Sequence, residues 1–593
     1  MDLPNGPSAA IRSPCVRRSS CNPSSFSQGC QMSELAKLKA CTTIGELARL
    51  LGFQAKTLGY IAWGTPSAAK YSTFNIPKRS GGKRTIHAPS PQLKLAQGKL
   101  STLLQACEKE IEEDLGVKRT VAHGFKLGRS ILTNADVHRR QRYVLNFDLS
   151  DFFGTINFGR VRGFLIGNRN FRLHPDVATL IAQIACHEDM LPQGAPTSPV
   201  ISNLIGNILD VRLSKMARAH GCAYSRYADD ITMSTSQPDF PNGIATKVDS
   251  ASKWALAKEV EQAVAACGFR INHAKTRLLH RRSRQDVTGI VVNRHVNVNT
   301  DYRRAVRAMV NNLCSTGTYH REKSIVVADD TTMVSVDGTR PQLEGMLGFL
   351  LQVERYRQSD ELPPPTLSST ELLLHRFLFF TTFASNDKPV ILFEGKTDNI
   401  YISAAIRRLG ASYPLLMTPG SKDLLVKLLP HTKTRERIFS LTGGDSPLTS
   451  FIASYRENYR RIKAPKGAKP VIVIFDNDKG SNAVIAAIKK HYKLDMPNGT
   501  QYLRVYDNLY ILLTSIKDPT ANHCIEHFFS ASTLAKTLSG KKLSLSNKKL
   551  KDDEYGKAWF AEKIVKPYYK DIDFSGFSGI LDPISEIIQN HAP

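Results

Sequence analysis

Apolar and polar positions change their period several times along the chain. Residues 33 to 115 read mainly as amphipathic helices. They are broken by YSTFNIPKRSGGKRTIHAPS, whose alternation on both sides of Gly81-Gly82 predicts a hairpin. RYVLNFDLSDFF predicts a buried strand running into a turn, and SPVISNLIGNILDVRLSKMARAHG a long amphipathic helix. AYSRYADDITMST reads as strand, turn, strand, and SKWALAKEVEQAVAACGF as a helix ended by Gly268. This half is α/β or α+β. A helical region follows over about 301–382, with a short hairpin near SIVVADDTTMVSVDG. The period then changes. NDKPVILFEGKTDNIYISAAIRRLG and KPVIVIFDNDKGSNAVIAAIKKHY each run from a wholly apolar strand through a turn into a helix, the pattern of parallel βα units. A domain boundary is placed near Ser385, and no internal repeat is found.

Length and charge narrow the function. A chain of 593 residues is too long for one core. Lys plus Arg number 80 against 53 for Asp plus Glu, a net charge of +27, which points to a polyanionic partner, most simply nucleic acid. No apolar run reaches the roughly 20 residues of a spanning helix, so the chain is read as soluble with no membrane partner expected, and its cysteine usage reads as cytoplasmic. The ten cysteines form no CxxC pair, which fits reduced thiols better than a disulfide framework or a zinc knuckle. The first 32 residues are rich in Ser and Pro and read as disordered, with Met32 a candidate start.

Two constellations carry chemistry. Asp148 ends an apolar strand, and Asp229 and Asp230 occupy a strand-to-strand turn about eighty residues later. If the strands are neighbours, three carboxylates meet at one sheet edge. Like charges so close are costly, and Mg²⁺ on hard oxygen ligands removes the cost. Two such ions serve in-line phosphoryl transfer. A turn with no further role is the alternative for an isolated Asp-Asp.

Taken together, these stretches resemble a reverse transcriptase over roughly residues 45 to 300. FDLSDFF and YADD are similar to the family's two catalytic motifs, QGAPTSP to its template- and nucleotide-positioning motif, GFRINHAKTR to the motif after them, and IPKRSGGKRTI to its finger hairpin. The resemblance implies that Asp148, Asp229 and Asp230 hold two Mg²⁺ and that Lys83 and Arg84 grip the incoming triphosphate. It implies that Gln193 and Gly194 line the nucleotide pocket, and that Phe153 is the steric gate selecting dNTPs, with core packing as its rival role. Lys275 would protonate the leaving pyrophosphate, unless it is a solvated lysine at a helix end.

NADVH, Asn134 to His138, and VTG, Val287 to Gly289, resemble two signatures of retron reverse transcriptases. That family implies synthesis of a branched RNA–DNA hybrid from a cognate structured RNA, and antiphage defence. Asn134, His138, Val287, Thr288 and Gly289 would then touch RNA, together with the basic segment DYRRAVRAMVNN. The rivals are a group II intron-like or other defence reverse transcriptase without a branched product, and a catalytically silent nucleic-acid-binding scaffold.

In the second constellation, Glu394 follows one apolar strand, and Asp476 and Asp478 follow another. A P-loop is excluded, because the glycine it needs five positions before Gly395 is Val390. Glu plus Asp-x-Asp resembles the Toprim domain of topoisomerases, primases and related nucleases. It implies one or two Mg²⁺ on Glu394, Asp476 and Asp478, with Glu394 as acid/base, although Gly480 follows more closely than the family often allows. HCIEH, His523 to His527, matches an inverted zinc-protease motif. Glu526 fits better as a further acidic ligand of the Toprim site. The fold class expected is an α+β right-hand polymerase followed by an α/β, Rossmann-like Toprim domain. Its parts are an extension over 1–32, fingers and palm over 33–300, thumb and RNA-binding region over 301–384, and Toprim with a C-terminal extension over 385–593.

Overall fold

The computed structural model of the chain describes residues 32–78, 82–116, 121–248, 253–327, 330–358, 366–441, 447–477, 481–497, 499–514, 524–545 and 550–592. The extension over 1–32, apart from Met32, lies outside the described residues, and so do Asp478, Gly480 and His523.

The stretch after Met32 forms two short helices, Glu34–Ala40 and Ile44–Leu50. Thr43 and Glu46 split them with reciprocal side chain–backbone bonds at the start of the second. The hairpin expected around Gly81-Gly82 is present as β1 (Tyr71–Pro77) paired antiparallel with β2 (Lys83–Pro89). The long helix α1 (Pro91–Asp114) follows. After it come α2 (Ile131–Val137), β3 (Tyr143–Ser150), α3 (Ser198–Ala219), β4 (Ala223–Tyr227), β5 (Asp230–Thr235) and β6 (Arg270–His280).

The strands β3 to β6 make one antiparallel sheet in the order β4-β5-β3-β6. Its two faces read directly from β3. Leu145, Phe147 and Leu149 join Ile201, Ile205 and Leu209 of α3 in one core. Val144, facing the other way, joins Leu132 and Ala135 of α2 in a second. The helix expected over SKWALAKEVEQAVAACGF is shorter than its pattern. Trp254–Leu256 pairs as a strand with Ala245–Lys247, and the helix is confined to Lys258–Ala266. Pairing across the chain outweighs local helix propensity there. Trp254 is half-buried against Phe240, and Leu256, two positions on, is buried.

A small hairpin, β7 (Asp286–Val287) with β8 (Ile290–Val291), leads into α4 (Thr300–Thr316). The expected hairpin beyond it is longer than its motif, with β9 (His320–Val327) in register with β10 (Asp330–Asp337). Helices α5 (Arg340–Arg357) and α6 (Ser369–Phe379) complete this region.

The C-terminal half is a mixed sheet. Strands β11 (Val390–Phe393), β12 (Lys427–Leu428), β13 (Val471–Phe475), β14 (Tyr502–Tyr506) and β15 (Leu509–Leu513) lie in the order β12-β11-β13-β15-β14. All neighbours are parallel except the β14 edge. Helix α7 (Asp398–Leu409) returns from β11. Strands β11 and β13 are wholly apolar because both of their faces are covered. Ile391, Phe393, Ile472 and Ile474 pack with Tyr401 and Ile402 of α7 on one face. Val390, Leu392, Val471 and Val473 face the other way.

That second face has no boundary at Ser385. Phe377, Phe379, Phe380 and Phe383, from α6 and the turn after it, share its core with Phe439, Phe451 and Tyr455. Phe383 stacks edge-on to Phe451 and Phe439 at 5.1 and 5.2 Å. The Arg437 guanidinium forks onto Glu371 of α6, with Nη2 donating to Oε2 at 2.9 Å. The residues before Ser385 therefore cover the sheet after it. Phe383→Ala is expected to cost about 3–5 kcal/mol. Denaturant unfolding followed by fluorescence should show the loss as one lowered transition for both halves.

Candidate active site

Register brings the first constellation together. Asp148 on β3 lies opposite Asp230 on β5 and opposite Asn272 on β6, so the three form a row across the sheet. Asp229 is in the turn between β4 and β5, and its carbonyl accepts from Leu149 N at 3.1 Å. The turn is tight. Ala228 adopts φ +57°, uncommon for a residue with a side chain. Gly124 lies beneath it, where a Cβ would come within 2.5 Å of Ala228 N. The hairpin is pinned from the α3 face by Arg226, which is fully buried. Its Nε and Nη2 each donate to Asp210 at 2.7 Å, and Nη1 donates to the Ala228 carbonyl at 3.0 Å. Asn203 Nδ2 donates to Gly124 O at 2.8 Å.

The crowding shows in the protonation energetics. Burial, and then the Asp148 charge, raises Asp229. Asp230 reaches solvent at the rim, yet protein packed on its other side and the Asp229 and Asp148 carboxylates push it up to about 7. Lys275 is on strand β6, not at a helix end, and its Nζ is 2.8 Å from Asp148 Oδ2. That hydrogen bond raises the ammonium above its ordinary value. Among the described residues no three His, Cys, Asp or Glu side chains stand as a finished metal cage. The sheet edge offers a set of hard oxygen donors whose mutual repulsion is only partly relieved by the Lys275 ammonium and by Arg84. Such a donor set suits Mg²⁺.

A cleft of about 1070 Å³ opens over this row. Asp148, Asp229 and Lys275 line it, together with Lys83 and Arg84 from the start of β2, Phe153 and Gln193. Arg84 lies near enough to Asp229 to counter part of its shift. Phe153 faces the cleft, while its ring lies 5.5 Å from Phe152 and 6.2 Å from Phe125, so a lining position and a packing position coincide. Gln193 O accepts from His87 N at 2.8 Å, which docks this turn on β2. Only glycine fits next to it. Gly194 has φ +121°, and a Cβ there would sit 2.8 Å from His87 O.

The segments Asn134–His138 and Val287–Gly289 pack together, with Asn134, His138 and Val287 away from solvent. Asn134 and His138 are buried at 1% and 0% exposure, which corrects the expectation that they touch RNA. Burial holds the His138 imidazole down at about 3, hence neutral. Val287 is likewise buried and belongs to the core shared with α2, so it too has no face to offer RNA. Thr288 is half-buried with φ +48°, and its hydroxyl points to Ile131 O at 3.5 Å. Gly289, φ +79°, is exposed.

In the second constellation, Glu394 and Asp476 directly follow the neighbouring parallel strands β11 and β13. Ligands of such sheets bind outside these strand ends. Asp476 is pushed up to about 8 by burial and then by Asp398, Glu526 and Glu394. Asp398 rises to about 6, chiefly by burial, while accepting from Gly395 N at 2.9 Å. Asp476 Oδ1 accepts from Ile525 N at 3.1 Å, and the Lys557 ammonium lies 3.1 Å from buried Glu526. Among the described residues the edge therefore gathers Asp398, Asp476, Glu526 and Glu394, with the Lys557 ammonium against Glu526. The described part of HCIEH does not form the helix a zinc-protease motif needs. From Cys524 it is a short 3₁₀ turn in which His527 is exposed. The seven described cysteines carry no disulfide, and among the described residues no helix is long and apolar enough to cross a membrane.

Gly124, Asn203, Asp210, Arg226, Asn272, Asp398 and Lys557 were not legible as site residues. Asp210 alone left a signal, as an acid within the apolar stripe of α3.

Comparison with known proteins follows the same division. The family described as reverse transcriptase (RNA-dependent DNA polymerase) matches residues 76–292. The retron Mx162 reverse transcriptase of Myxococcus xanthus is 38% identical over 267 residues, 42% of this chain and 52% of that protein. The retron Mx65 enzyme of the same organism is 35% identical over 295 residues, 47% and 60%. The retron Ec86 reverse transcriptase of Escherichia coli is 31% identical over 247 residues, 41% and 70%. The chain thus spans little more than half the length of the first two. A solved apo telomerase from Candida tropicalis, truncated from its C-terminal domain, overlaps with a TM-score of 0.26 and 12% identity, covering 42% of this chain and 61% of that one. That overlap is too slight to bear on the fold. On the sequence relationships alone, the chain belongs to the retron reverse transcriptase family.

Proposed function

We propose that the chain is an RNA-directed DNA polymerase that copies a cognate structured RNA into DNA joined to it by a 2′–5′ branch, and that its C-terminal half is a Toprim-type effector in antiphage defence. The observation that carries the polymerase reading is the meeting, in one cleft, of Asp148, Asp229, Lys83, Arg84, Phe153 and Lys275. Asp148 and Asp229, with Asp230 beside them, would hold two Mg²⁺. Bound there, the metal would activate the attacking hydroxyl and steady the leaving pyrophosphate. Lys83 and Arg84 orient the triphosphate by forked and single donors. Phe153 walls the sugar against a 2′-OH. Lys275 leaves Asp148 and supplies a proton to the pyrophosphate. Gly289 and the basic face of α4 meet the RNA.

The C-terminal reading is supported by Glu394 and Asp476 at adjacent strand ends and by the upward shift of Asp476. Glu394, Asp476 and Asp478 would hold one or two Mg²⁺ against a phosphodiester, with Glu526 as a further acidic group. A fused nuclease must spare its own cell, so the RNA–DNA product would hold it inactive until infection alters that product.

Asp229→Asn is expected to abolish dNTP incorporation on the co-purifying RNA while RNA binding persists. In the wild-type reaction, debranching enzyme should release the DNA from the RNA. A free 5′ end would favour the unbranched rival, and full incorporation by the mutant would remove the metal role. Phe153→Ala should raise ribonucleotide incorporation relative to dNTPs, by about tenfold if the lost contact is worth 1–2 kcal/mol. Unchanged sugar preference would leave Phe153 a packing residue. The double change Asp476→Ala, Asp478→Ala should keep DNA synthesis and lose toxicity and phage protection in a plaque assay. Protection by that mutant would make the C-terminal half a binding module.

A further inference from the structure

The buried retron signature holds the catalytic hairpin from the face opposite Arg226. His138 Nε2 is 2.7 Å from Ser225 Oγ, and His138 Nδ1 is 2.7 Å from Ser234 Oγ. The Ser225 hydroxyl donates to Asn134 Oδ1 at 2.7 Å. Its proton is thereby committed, so Ser225 accepts from His138 Nε2–H, and Nδ1 is left to accept from Ser234. The hydrogen-bond order fixes one tautomer of a neutral ring.

The two serines are on different strands. Ser225 is on β4 opposite Thr232, and Ser234 is on β5 opposite Ala223. They are diagonal neighbours on one face, and the imidazole spans the gap between them. Ser225 and Ser234 lie an even number of residues from Tyr227 and Asp230, so this is also the face of Asp148 and Asp230. Asn134 remains buried although its Nδ2 finds no partner. A position that served packing alone would be better filled by an apolar side chain.

We propose that Asn134 and His138 are positioning residues for the polymerase centre: by clamping Ser225 and Ser234 they fix the separation of β4 and β5, and with it the place of Asp229 and Asp230 relative to Asp148. They act through the hairpin and touch neither RNA nor nucleotide. The clamp also joins the two retron signatures mechanically. Leu132 and Ala135 of the same helix pack with Val287, and Asn146 Nδ2 on β3 donates to Asp286 O at 3.0 Å. The inference rests on the polymerase reading above.

The test uses the full chain, Mg²⁺ and two substrates: poly(rA) primed with oligo(dT), and the RNA that co-purifies with the protein. Ser225→Ala and His138→Ala are expected to lower kcat on both by about tenfold or more and to raise the Mg²⁺ concentration for half-maximal rate, while the Kd for the RNA stays within about twofold. Melting curves accompany each variant. Should His138→Ala fail to fold, Ser225→Ala, which removes a single oxygen, decides the matter. A Ser225→Ala protein with wild-type rate and Mg²⁺ dependence overturns the proposal. So does a weakened RNA Kd with an unchanged rate on primed poly(rA), which would return the pair to RNA contact. Failure of the wild-type protein to incorporate dNTPs on either substrate overturns the polymerase reading, and the clamp with it.

Discussion

Mutual repulsion among Asp148, Asp229 and Asp230 is the constraint around which the first half of the molecule is built. Carboxylates left to themselves would move apart into water. Here a strand register, a left-handed residue at Ala228 and a glycine beneath the turn keep them in place. The buried Arg226–Asp210 pair braces the hairpin from one side, and the His138 network from the other. A cation among them would relieve that repulsion further, as the Lys275 ammonium and Arg84 already do in part.

The C-terminal sheet repeats the principle in another geometry. Asp476 follows strand β13, Asp398 opens helix α7 and Glu526 sits in a short 3₁₀ turn, with the Lys557 ammonium against Glu526. Neighbouring parallel strands place Glu394 and Asp476, about eighty positions apart in sequence, side by side without a hairpin. The two centres thus obtain crowded oxygen donors by different topological means.

What was legible in the sequence follows the range of the forces involved. FDLSDFF, YADD and the hairpin at Gly82 depend on local periodicity and turn chemistry, and they fold as their patterns read. The strand at Trp254–Leu256 depends on a partner chain segment, and local pattern misread it as helix. Asn134 and His138 were visible as polar residues in a signature, but not their burial, because burial was decided by Ser225 and Ser234 some ninety residues away. Glu526 was grouped with the second constellation only by the chemistry of acids, since HCIEH invited a zinc reading, and its charge does act on Asp476. Lys557 had no local signal. The boundary near Ser385 was drawn where the period changes, whereas packing ignores that change.

That last mismatch bears on how the gene can be taken apart. A break after Ala384 would strip the sheet of the phenylalanines that cover it and leave the same four rings on the truncated N-terminal half facing water. Neither fragment would be a clean module. The connection is more than tethering by a linker: the two halves share part of one interior, so a chain that lost the second half would have to rebuild the surface of the first.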